Sequence, residues 1–120
     1  AFAEVAVIVH PSNASTIDGS SINRIFTGKA KSFSNGSPAT PVGQAPSSKA
    51  TGEFNKKVLK KSASQLKAYW SKLVFTGKGT PPKEVANDAE VINLIKSNPN
   101  LIGYVSDTAV TGDVKVVATF

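Results

Sequence analysis

An α/β domain, with a mixed central sheet and flanking helices, is the fold class this sequence predicts. Three observations carry that reading. Short runs rich in β-branched residues stand near the start, near residue 100 and at the end of the chain. Between them lie stretches with helical apolar spacing, most of them opened by a capping residue. Pro-, Gly- and Asn-rich punctuation separates the two kinds of segment, giving the order strand, helix, short extended piece, three helices, two strands.

Glu4-Val5-Ala6-Val7-Ile8-Val9 is a continuous apolar run of the kind that fills a strand buried on both faces. His10-Pro11-Ser12-Asn13 ends it, because proline denies a ladder hydrogen bond and Ser and Asn favour turns. Asp18 or Ser20 can cap a short helix reaching about Phe26. Residues 32–48 are rich in Ser, Gly and Pro and read as loop, with Thr40-Pro41-Val42-Gly43-Gln44 as a short extended piece inside it.

Thr51 offers an N-cap, with Glu53 in the first turn, for a helix to about Lys60 carrying Phe54, Val58 and Leu59 inward. Ser62-Ala63-Ser64-Gln65 is a capping box, and the helix it opens aligns Leu66, Tyr69, Trp70, Leu73 and Val74. Trp70, in the middle of that stripe, is expected to be mostly buried against the sheet. Asn87-Asp88-Ala89-Glu90 opens another helix with Val91, Leu94 and Ile95 inward, and Asn98-Pro99-Asn100 stops it. Leu101 to Val105 and Val114 to Ala118 complete the strands.

The stretch Phe-Thr-Gly-Lys occurs at 26–29 and again at 75–78. A phosphate loop needs a glycine five positions before the Gly-Lys pair and Ser or Thr after the lysine. Asn23 and Lys72 occupy the earlier positions and Ala30 and Gly79 the later ones, so neither copy qualifies. Glycine just beyond a helix supplies the left-handed position, and lysine there complements the helix end. Both copies therefore read as helix stops, and the unlike flanks argue against an internal repeat.

With 120 residues, 40% hydrophobic and 18% charged, the chain is sized for one domain. No cysteine is present, which excludes disulfides and thiolate metal sites, and no apolar run is long enough to span a membrane. Ala1-Phe2-Ala3 has the small-x-small form of a signal-peptide cleavage site, so residues 1–3 are expected to be a processing remnant and 4–120 the domain. That pattern implies a periplasmic or extracellular protein. The net charge of +6 comes from lysines and a single arginine, and it suits an anionic partner. Nucleic acid is disfavoured, since Lys56, Lys57, Lys60 and Lys61 fall on one helix face without interleaved aromatics. His10 has no nucleophile partner of catalytic spacing, the acids form no metal motif, and no serine lies in a nucleophile elbow, so no enzyme, cofactor or metal is expected.

Three segments carry a resemblance. They are Ile22-x-x-Ile25-Phe26-Thr27-Gly28-Lys29 with Thr40-Pro41-Val42 and Phe54; Tyr69-Trp70 followed by Phe75-Thr76-Gly77-Lys78-Gly79-Thr80-x-Pro82; and Val91-Ile92-x-Leu94-Ile95-x-x-Asn98-Pro99-x-x-Ile102-Gly103-Tyr104-Val105. In that order they resemble the substrate-binding proteins of phosphate ABC transporters, and the length is similar to roughly half of such a receptor. The resemblance implies a periplasmic-binding-protein-like domain that binds phosphate or a similar oxyanion and, as partner, a transporter permease.

It also implies a site. Such receptors hold the anion at a Ser-Gly-Thr-like turn on a helix N-terminus, often with an arginine close by. The matching stretch here is Ser47-Ser48-Lys49-Ala50-Thr51-Gly52, with the glycine displaced and no arginine. Ser12 and Asn13, after the first strand, match the other usual contact loosely. These six residues (Ser12, Asn13, Ser47, Ser48, Lys49 and Thr51) are either an oxyanion site or plain turn and cap residues. The competing function is a secreted structural subunit that keeps the fold without the ligand. Terminal strands Glu4–Val9 and Val114–Thr119, if at sheet edges, would favour a homo-oligomer or polymer.

Overall fold

The computed structural model describes residues 5–13, 17–45 and 47–120. Ala1-Phe2-Ala3 and Glu4, the expected processing remnant and strand opener, lie outside the described residues. One five-stranded mixed sheet organises the chain: β1 (Val5–Val9), β2 (Thr40–Gln44), β3 (Lys83–Val85), β4 (Leu101–Ser106) and β5 (Lys115–Thr119), in the spatial order β3-β2-β4-β1-β5. β2 runs parallel to β3 and β4, while β1 is antiparallel to both β4 and β5.

All five residues of β1 are fully buried because it lies inside the sheet with helices on both faces. The period of two divides its side chains between two cores. Val5, Val7 and Val9 join Ile102 and Tyr104 beneath α1 (Gly19–Phe26), α2 (Lys49–Phe54) and the π-helical turn Asn55–Leu59. Ala6 and Ile8 join Val42 and Val105 beneath α4 (Asp88–Ser97). The edges of the sheet are β3 and β5. An edge position for the first strand is thus corrected. Lys115, at the start of β5, reaches the Asn13 carbonyl at 3.0 Å.

The cap chemistry follows the sequence. Asp18 accepts from the Ser21 N–H at 2.8 Å, and Asn87 accepts from the Glu90 N–H at 3.0 Å. Ser62 and Gln65 close the reciprocal box that opens α3 (Ala63–Phe75). The two Phe-Thr-Gly-Lys stretches form the same Schellman stop. Gly28 donates to Ile25 O and Lys29 to Arg24 O; Gly77 donates to Val74 O and Lys78 to Leu73 O. Gly28 and Gly77 both take positive φ, 78° and 71°. Alanine at Gly77, where a Cβ would meet nothing within 4 Å, is expected to cost about 1 kcal/mol. At Gly28 the same Cβ would lie 3.1 Å from the Trp70 ring, so Gly28→Ala is expected to cost about 2 kcal/mol. Paired denaturant titrations check the difference; equal losses would show that the indole gives way freely.

Two expectations need correction. The helix expected to begin at Thr51 begins at Lys49 with Ser48 as N-cap, and it passes into a π-helical turn ended by Lys60 at a left-handed φ of 56°. Trp70 is half-buried and packs beside Gly28 and Gly79 rather than on the sheet. Of the α3 stripe only Leu66 is buried, because this helix stands off the β2–β3 edge and is tied down by Tyr69, whose hydroxyl donates to Thr27 O at 2.7 Å.

Candidate functional site

The C-terminal ends of β2 and β4 carry a polar network. Gln44 points to the α4 side of the sheet, on the same face as Val42, and is 2% exposed. Its amide nitrogen donates to Asp88 Oδ1 at 2.7 Å and to the Tyr104 carbonyl at 2.9 Å. Its amide oxygen accepts from the Ser48 hydroxyl at 2.7 Å. Asp88, in the first turn of α4, also accepts from the Ser106 N–H at 3.1 Å. A buried amide whose nitrogen and oxygen are both hydrogen-bonded costs little and fixes its neighbours.

Thr51 sits one turn inside α2. Its hydroxyl turns back to the carbonyls of Ala45 at 2.9 Å and Gln44 at 3.2 Å, and it accepts from the Tyr104 hydroxyl at 3.2 Å. Tyr104 in turn accepts from the Gln44 N–H at 3.2 Å. Burial pushes the Tyr104 phenol above its ordinary range, against the opposing pull of the Thr51 and Gln44 hydrogen bonds. It therefore stays protonated and acts as a fixed strut.

This leaves α2 without a side-chain cap, unlike α1, α3 and α4. Ser48, the residue placed to accept from the first-turn N–H groups, spends its hydroxyl on Gln44. Lys49 and Ser47 are exposed beside that end. Uncapped N–H groups and the helix dipole together favour an anion there. Of the expected site residues, Ser47, Ser48, Lys49 and Thr51 are thus assembled around one helix start, but Ser48 and Thr51 contribute to the scaffold through their hydroxyls.

Ser12 and Asn13 are elsewhere. Val9 pairs with Ile102 near the beginning of β4, whereas β2 runs alongside β4 and ends beside its close. The two loops therefore lie at opposite ends of the sheet, separated by the length of β4, roughly 15–20 Å. One small anion cannot touch both, so the six expected residues do not form one site. Ser12 is engaged locally: its hydroxyl lies 2.7 Å from His10 Nδ1, and its N–H donates to the same nitrogen at 3.1 Å.

Gln44, Asp88 and Tyr104 were not singled out as site residues. Their only sequence signals were a polar residue closing a short extended piece, an acid in a helix's first turn, and a tyrosine within an apolar run. Beside the network, on the α2 face of the sheet, an apolar groove of about 920 Å³ lies between α2, α3 and the β2–β3 edge, with Phe54, Leu66, Trp70 and Tyr104 among its walls. Among the described residues no three His, Asp or Glu side chains converge as metal ligands, and no helix is long and apolar enough to cross a membrane.

No family model matches the chain, and no curated protein matches it in sequence. Solved structures do match. An ABC-type phosphate transport receptor from Vibrio cholerae superposes with a TM-score of 0.74 at 17% identity, over 98% of this chain and 46% of that one. A Clostridium perfringens protein, described as a phosphate ABC transporter substrate-binding protein and solved with phosphate bound, gives 0.74 at 21% identity over 96% and 44%. PstS from Borrelia burgdorferi gives 0.68 at 12% over 97% and 47%. The chain spans less than half the length of each. Its five-stranded mixed sheet with helices on both faces has the fold found in about half of a phosphate-receptor chain, and at these identities the likeness shows the fold.

Proposed function

We propose that this chain is a non-catalytic, periplasmic or extracellular oxyanion-binding protein of the phosphate-receptor type, taking phosphate or a similar anion at the N-terminus of α2. The observation that carries this reading is the uncapped start of α2, where Ser48 is turned away to Gln44 while Lys49 stands exposed alongside. The fold shared with phosphate transport receptors supports it, and a transporter permease is the partner that such a role implies.

Affinity should be modest. One lysine and one helix end lack the bidentate grip of arginine, and Asp88 places a carboxylate two hydrogen bonds from Ser48 through Gln44. A dissociation constant on the order of micromolar or weaker is expected for inorganic phosphate. Ser48→Asp should abolish binding, because its carboxylate would cap the same N–H groups while leaving α2 helical. Lys49→Glu should weaken binding about tenfold or more at low salt. Isothermal titration with phosphate on protein freed of phosphate checks both. Unchanged affinity in Ser48→Asp would place the anion elsewhere, and absence of binding in the unaltered chain would end the reading.

A further inference from the structure

The apolar groove and a second, basic concavity adjoin along α3, with wall residues in common, and together outline a track. The groove begins at the N-terminal end of that helix, beside Ala63 and Ser64, and runs past Leu66 and Trp70 to Val74. Val74, Pro81 and Pro82 then serve as the shared wall with a concavity of about 880 Å³ at the C-terminal end of α3. Lys31, Lys78 and Lys83 line this second space, and no acidic residue does. None of the three is paired with a carboxylate among the described residues.

The two Phe-Thr-Gly-Lys turns build it, since Gly28 and Gly77 both lie in its wall and Trp70 spans Gly28 and Gly79. Their backbone N–H groups are used in the helix stops, so charge there is presented by lysine side chains. The apolar part is equally unfilled by the chain: Val74 is 54% and Phe75 92% exposed.

We propose that this track binds a single-chain anionic amphiphile, with its acyl chain in the groove and its phosphate or carboxylate head among Lys31, Lys78 and Lys83. An aliphatic chain suits an aromatic-lined slot that runs along a helix about 20 Å long. Lysine ammoniums, as point charges without fixed geometry, suit a head that needs charge rather than shape. The combination selects a molecule that is apolar at one end and anionic at the other. It does not rest on the site at α2, which opens at the ends of β2 and β4.

The test uses octyl, decyl and dodecyl phosphate below their micellar concentrations, read by the fluorescence of Trp70, the single tryptophan, on the groove wall. Affinity is expected to rise about fourfold per added methylene. The triple variant Lys31→Gln, Lys78→Gln, Lys83→Gln should weaken dodecyl phosphate at least tenfold and abolish the preference over dodecyl glucoside. A charge-matched control, Lys56→Gln, Lys60→Gln, Lys61→Gln, should change affinity less than twofold. Val74→Asp, at an exposed position, should remove binding of both amphiphiles. Ser48→Asp should leave it intact, which separates this site from the proposed phosphate site. The proposal is overturned by affinity that ignores chain length, by equal losses in the two triple variants, or by binding only to anionic phospholipid vesicles. A stable dimer in which the probe cannot reach Trp70 would equally overturn it, since a second copy would then fill the groove.

Discussion

Phe54→Ala is expected to cost about 3–5 kcal/mol. Phe54 is 1% exposed, stacks on Tyr104 at 4.1 Å with the ring planes 6° apart, and meets Phe26 edge-on at 4.7 Å. These three rings join α1 and α2 to β4, so truncation opens a void where the helical layer meets the sheet. Thermal melting should show a fall of about 10–20 °C, given the few degrees that each kcal/mol moves a domain of this size. Phe54→Leu keeps much of the volume and should cost about 1–1.5 kcal/mol. A loss below about 1 kcal/mol for the alanine variant would mean that the ring cluster is not closed.

Gly103→Val should cost about 2–3 kcal/mol for the opposite reason, overpacking. A Cβ at Gly103 would fall 2.7 Å from Val91 Cγ1 and 3.5 Å from both Ile95 Cδ1 and the Val42 carbonyl, so α4 would have to lift from the sheet. The Gly in Ile-Gly-Tyr-Val is therefore the close approach between β4 and α4. A double-mutant cycle provides the check. Val91→Ala opens the space that the new valine needs, so the pair should be more stable than the sum of the single losses by about 1 kcal/mol or more. Strict additivity would place the clash elsewhere.

The same residues show how far the sequence alone could be read. Ile102-Gly103-Tyr104-Val105 was legible as a strand because its β-branched and aromatic residues sit between Asn98-Pro99-Asn100 and a polar turn. β3 was not legible. Lys83-Glu84-Val85 has one apolar residue and follows two prolines, and it becomes a strand because the open edge of β2 offers its backbone partners. Trp70 shows the reverse case. Its spacing matched an inward helical face, but α3 faces a groove, so an apolar stripe at the right period was not a buried one.

At the candidate site the helix start was legible, whereas the partners of its hydroxyls were not. A Ser- and Thr-rich helix start after the second strand was visible in Ser47-Ser48-Lys49-Ala50-Thr51, and Lys49 is exposed there as a ligand-facing cation would be. That the Ser48 and Thr51 hydroxyls are held by Gln44 and Ala45 depends on residues four to seven positions away meeting across a strand end. Pairing Ser12 and Asn13 with them failed on strand direction. β1 is antiparallel to β4 whereas β2 is parallel to it, and no local pattern records that choice.

What the sequence by itself determined is what a few adjacent residues can settle. The caps at Ser62 and Asn87 and the twin glycine stops at Gly28 and Gly77 each close hydrogen bonds within one helical turn. The buried first strand follows from side-chain branching and apolarity alone. The tertiary structure decided strand order, which loops share an end of the sheet, and that α3 stands away over a groove flanked by lysines. These are contacts between distant segments, whose free energy depends on sheet pairing and on how side chains from several elements fill shared space. No window of neighbouring residues contains that information.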